Sequence, residues 1–249
     1  MGAHTVLAGS EELHPRSFWS RWIGVYFSPG ETFQDIARKP DFLFPLVAAV
    51  LSAIAVTETM LAKIGMERII RNSMEIGGQA AKMTPEQIQQ AVDRGKGIGS
   101  ILAHVGGILG APIYLLVVAA IGLAIVNALF GSPISFRKAF SVTCYANLVG
   151  VIGAVMAVAL ILFGDVERFN PNNPAPTNLG FFLNPLETSK PVAALASSVD
   201  LFTIWFVILL GIGFSQATGG KVKARTIFLV YLGLWMVWVI GKVGLAAIS

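Results

Sequence analysis

Five long apolar runs constrain this chain more than any other feature, at about 42–62, 98–130, 140–163, 192–214 and 226–248. A helix needs about 20 mostly apolar residues to cross a hydrocarbon core of about 30 Å, and every run reaches that length. The runs are continuous and do not alternate with a period of two, so they read as helices and not as barrel strands. The fold class they imply is all-α, a polytopic membrane protein with five transmembrane helices plus short interfacial helices. The second run is too long for one upright span and contains Pro112. Composition agrees: 55% of residues are hydrophobic, 13% are charged and the mean hydropathy is +0.70. Soluble domains carry about a quarter charged residues. A disordered chain, a disulfide scaffold and an ordinary cytosolic enzyme are thereby excluded.

The segments around the runs divide the chain into three parts. Residues 1–17 read as a disordered tail with no cleavable signal peptide, since they hold Glu11 and Glu12 and no apolar core. Residues 18–41 read as interfacial amphipathic helices: Phe18, Trp19, Trp22, Ile23, Tyr26 and Phe27 recur at helical spacing beside Arg16 and Arg21. Ser28 and Glu31 then have capping-box spacing, with Pro29 at the first helical position and Pro40 as the stop after Arg38. Trp19, Trp22, Pro29, Glu31 and Phe33 form the candidate interface element. Residues 42–249 are the five-helix membrane domain. Within it, Thr84 to Gln87 opens a polar helix ahead of the second span, and Asn170 to Pro176 is a loop outside the bilayer.

Five spans put the termini on opposite sides. Lysines and arginines tie at nine on each side, so the short loops decide. The turns holding Arg137 and Lys138, and Lys221, Lys223 and Arg225, are basic and free of acids, which places the N-terminus in the cytoplasm and the C-terminus outside it. A bacterial cytoplasmic membrane is the expected location. The net charge of +4 fits such loops and forms no nucleic-acid stripe.

Four ionisable groups fall within the runs: Glu58, His104, Asp200 and Lys242. Counting along spans of alternating direction places all four in the half of the bilayer away from the N-terminus. Glu58 and Lys242 come out at similar depth and could pair. Intramembrane charges are functional hypotheses by default, here a polar cluster for an ion, proton or headgroup. The alternative is that each snorkels to the nearby interface or is paired structurally. Asp200 is the most deeply placed. Gly106 and Gly110 read as helix packing within the bundle, and Asn127, Ser141, Thr143, Tyr145 and Asn147 as hydrogen bonds across helices. No catalytic motif occurs, His4, His14 and His104 lack metal-ligand spacing, and Asp165 and Glu167 read as a solvated helix end. The lone Cys144 makes no internal disulfide. Neither an enzyme nor a cofactor is expected.

Three stretches carry a resemblance: SPGETFQDIARKPDFLFPL into the first run, GSPISFRKAFSVTCYANLVGVIG around the third, and DLFTIWFVILLGIGFSQATGGKVKARTIFLVYLGLWMVW across the last two. With the five-run layout, they resemble the Ypt-interacting-protein (Yip) domain family over about Phe18 to Ile248. The resemblance implies a five-helix bundle with a cytosolic N-terminus. Eukaryotic members bind prenylated Rab-type GTPases and act in vesicle formation and membrane curvature. This chain lacks their long N-terminal region and its Asp-Leu-Tyr-Gly-Pro motif, so it looks like a prokaryotic-type member and GTPase binding is not carried over. The functional expectation is a membrane-organising or partner-binding scaffold, touching the lipid bilayer and a protein partner or second copy through the bundle. A small transporter or channel for an ion, solute or lipid, built on the polar cluster, is the alternative.

Overall fold

A computed structural model describes residues 17–165, 170, 173–174 and 176–248. The expected N-terminal tail, save Ser17, and Glu167 lie outside them. Among the described residues ten α-helices follow one another: α1 (Phe18–Phe27), α2 (Pro29–Arg38), α3 (Leu43–Lys63), α4 (Met66–Ile76), α5 (Pro85–Ala124), α6 (Phe136–Ala146), α7 (Leu148–Phe163), α8 (Lys190–Ser198), α9 (Leu201–Ala217) and α10 (Ala224–Ile248). Four stretches of the described residues are long and apolar enough to cross a membrane: α3, α5 with its extension to Leu129, the α6–α7 pair, and α10. The molecule is an all-α polytopic membrane protein. α9 is a further apolar helix of 17 residues, about 25 Å long.

Two boundaries depart from the sequence reading. The polar helix at Thr84 and the second span are one helix. A capping box starts it, with Thr84 and Gln87 bonded reciprocally. Pro85 sits in the first turn, where no backbone donor is needed, and the helix continues through the interior Pro112, which removes one backbone donor, to the π-helical turn Ile125–Leu129. Gly131, at φ 58°, reverses the chain, and Asn127 clamps the return by bonding both backbone groups of Ile134. The fourth run, expected as one helix over 192–214, is instead interrupted between α8 and α9 at Val199 and Asp200. The preceding loop satisfies the freed backbone: Leu179 N–H donates to the Val199 carbonyl, and Leu201 N–H to that of Thr177. Non-helical backbone at such a position requires partners of this kind.

The core forms where α2, α6 and α9 meet. Residues 139–146 of α6 are all buried. Phe33 and Ile36 of α2 are fully buried in the same cluster as Val142, Leu209, Leu210 and Phe214. Gly213 allows this approach, since a Cβ there would lie 2.5 Å from Val142 Cγ1 and 3.0 Å from Phe33 Cδ1. The apolar face of α2 thus packs inside the bundle. α1 has two faces, with Arg21, Gly24 and Val25 turned inward and Trp19, Ile23 and Phe27 outward.

The small and polar residues also sort differently from expectation. Gly106 and Gly110 are exposed with open space above them, whereas Gly107 meets Thr57 of α3. Helical phase explains this, because a residue one step away lies about 100° around the axis. Ser141 and Thr143 donate to the carbonyls of Arg137 and Ala139 in their own helix, the usual local competition for such hydroxyls. Asn147 forms the break between α6 and α7. Tyr145 does reach another element, donating to Asp41 at 2.9 Å.

Candidate functional site

The four ionisable groups of the apolar runs do not gather into one cluster. Glu58 of α3 pairs with His104 of α5, Oε1 to Nε2 at 3.1 Å, with both side chains about half exposed. His104 Nδ1 donates to the Ser100 carbonyl at 2.6 Å. Both ring nitrogens thus lie within hydrogen-bond distance of an acceptor. Lys242 of α10 does not pair with Glu58. Its Nζ donates to Ser197 Oγ at 2.9 Å and Ser198 Oγ at 3.2 Å on α8, and it lies 5.5 Å from the Trp238 ring centre. Asp200 is the N-cap of α9, accepting from Thr203 N–H at 2.7 Å. Its place in an apolar run reflects a helix start, and depth along a run gave no sign of it. Among the described residues no three His, Cys, Asp or Glu side chains gather as metal ligands.

A different polar centre lies at the N-terminal end of the bundle. The guanidinium of Arg21, 2% exposed, donates to Asp35 at 2.7 Å, to the Lys39 carbonyl at 3.2 Å and to Asp41. It also lies 6.0 Å from the Tyr145 ring centre, and Tyr145 bonds Asp41 in turn. Burial acts to lower the Arg21 pKa, but the bonds and charges of Asp35, Tyr145 and Asp41 outweigh it and raise the value. One residue thereby ties α1, α2, the link into α3, and α6 together. Tyr26 adds a second tie by donating to the Leu148 carbonyl at 2.8 Å. The signal available in the sequence was position: Arg21 shares a helical face with Val25, while Asp35 follows on α2 and Asp41 in the link into α3.

This latch holds a surface built from separate parts of the chain. Phe18, Trp19 and Trp22 form an aromatic cluster with Phe44 at the start of α3, and Trp19 is 66% exposed. Nearby turns are basic. The C-terminal end of α2, the start of α6 and the α9–α10 turn converge on an open cavity of about 470 Å³, lined by Gln34, Arg38, Lys138, Gln216 and Gly219 among others. Of the candidate interface residues, Trp19 and Glu31 are exposed, Trp22 and Pro29 are partly covered, and Phe33 is buried.

The Yip1 domain family matches the chain over residues 23–243. A relative named membrane protein YknW, from Bacillus subtilis (strain 168), is 23% identical over 213 residues, covering 84% of each chain. No solved structure matches.

Proposed function

The chain belongs to the Yip1 domain family, and from that membership we propose a non-enzymatic scaffold that organises membrane or partner proteins through its N-terminal face. The observation that carries the reading is the Arg21 latch. A buried guanidinium with two carboxylates and a tyrosine is a costly device for holding two short helices, and what it holds is an aromatic and basic surface. Arg38, Lys138, Lys221, Lys223 and Arg225 suit an anionic partner or lipid, each cation near an acidic membrane contributing about 1 kcal/mol. The acid-free turns support a cytoplasmic location for this face, with the C-terminus outside a bacterial cytoplasmic membrane. Transport receives less support, because Glu58, His104, Asp200 and Lys242 are each held by local partners.

Photo-crosslinking tests the reading. A crosslinker at exposed Gln34 or Lys223 is expected to give one defined adduct, a partner or a second copy, which charge reversal of Arg38 and Lys138 abolishes. The same crosslinker at buried Phe33 is the negative control. Absence of any adduct from folded, inserted protein would count against a docking role for this face.

A further inference from the structure

We propose that the groove between α5, α9 and α10 binds one acyl chain of an anionic phospholipid, with the lipid phosphate on Lys242. The groove holds about 520 Å³ and is walled by Tyr114, Phe206, Leu210, Trp235 and Trp238, with Lys242, Ser197 and Ser198 at one end. Pockets of this size, mostly apolar with a few convergent polar groups, suit amphiphilic ligands.

Its length matches one leaflet. Tyr231, Leu234, Trp238 and Lys242 follow one another at helical spacing along α10, all lining the groove. From Tyr231 to Lys242 the helix rises about 16 Å, near half of a hydrocarbon core of about 30 Å. The inner end is closed where Tyr231 donates to the Val118 carbonyl at 3.0 Å. At the outer end, Trp238 beside Lys242 is an arrangement suited to headgroup depth.

The polar end selects an anion. Ser197 and Ser198 direct their own hydroxyl protons to the Ala194 carbonyl at 3.1 and 2.7 Å, so each offers only lone pairs to Lys242. The ammonium uses two of its three protons on them, which leaves one donor and a full positive charge at the groove mouth. Among the described residues no carboxylate lies within ion-pair distance of it. A lipid phosphate supplies the missing acceptor and charge. A zwitterionic lipid brings its own cation to the same place and gains less.

The test is lipid retention by the full-length protein in nanodiscs. Native mass spectrometry counts bound lipid, and tryptophan quenching by chain-brominated lipid reports proximity to Trp235 and Trp238. The two lipids compared are phosphatidylglycerol and phosphatidylcholine. Wild type is expected to retain phosphatidylglycerol with a preference of about tenfold, the scale of one charge-assisted hydrogen bond. Lys242→Gln should bring the two lipids to parity, and Lys242→Arg should keep the preference. Val117→Trp, which fills the groove away from the charge, should lower retention of both. An unchanged preference in Lys242→Gln would overturn the proposal, as would wild-type protein that retains neither lipid or that fills the groove with a second copy.

Discussion

Replacing Arg21 with alanine is the most demanding perturbation of the account. The side chain is 2% exposed, and its removal strands Asp35 and Asp41, which are 18% and 48% exposed. It also frees the Lys39 carbonyl and takes a cation from the Tyr145 ring. Breaking a fully buried pair costs about 3–5 kcal/mol. Asp41 is half in solvent and recovers hydration, so the lower end, about 3 kcal/mol, applies here. The loss should concentrate on α1 and α2. In a denaturant titration of reconstituted protein, Arg21→Ala should unfold earlier, and limited proteolysis should cut first between α2 and α3, near Pro40. A second variant separates geometry from charge. Arg21→Met with Asp35→Leu replaces the ion pair by apolar groups of similar length, which is often neutral or better in a buried site. The double variant should therefore be more stable than Arg21→Ala. If Arg21→Ala stays within about 0.5 kcal/mol of wild type, the level of ordinary surface changes, the latch argument is wrong.

Three more outcomes follow from particular contacts. Gly213→Ala should destabilise by about 1–3 kcal/mol through overpacking against Val142 and Phe33, read as a lowered thermal midpoint. Asp200→Ala should cost about 1 kcal/mol as a lost N-cap, and Asp200→Asn much less, since asparagine caps equally well. Burial pushes the Tyr26 phenol up to about 12, against a slight lowering by Trp22. Because the folded value lies above the ordinary one near 10, this contribution is complete below pH 10 and is lost as pH rises through about 12. Absorbance of tyrosinate against pH should show a late-titrating phenol that Tyr26→Phe removes.

Much of the fold is legible in the apolar runs, because length and continuity alone decide between membrane helix and strand. The details that escaped depend on direction around a helix axis and on partners distant in sequence. Counting along the runs gives Glu58 and Lys242 similar depth, but such a count says nothing about azimuth: one faces His104 and the other the serines of α8. The packing of α2 was not legible because a short amphipathic helix has the same pattern whether its apolar face meets lipid or protein. Gly213, on a helix distant in sequence, makes room for Phe33. The interruption at Asp200 left a trace that was readable, an aspartate three residues before Thr203, the spacing of an N-cap. The Arg21 latch left less, since Asp35, Asp41 and Tyr145 come from three different segments.

Solute uptake and single-channel conductance in proteoliposomes, for wild type beside Asp200→Asn and Lys242→Gln, address the central claim most directly. A scaffold whose intramembrane charges are locally partnered should show no flux above protein-free vesicles, across pH and a panel of simple ions and solutes. A flux carried by wild type and abolished by either substitution would contradict the scaffold reading and make those side chains a transport site.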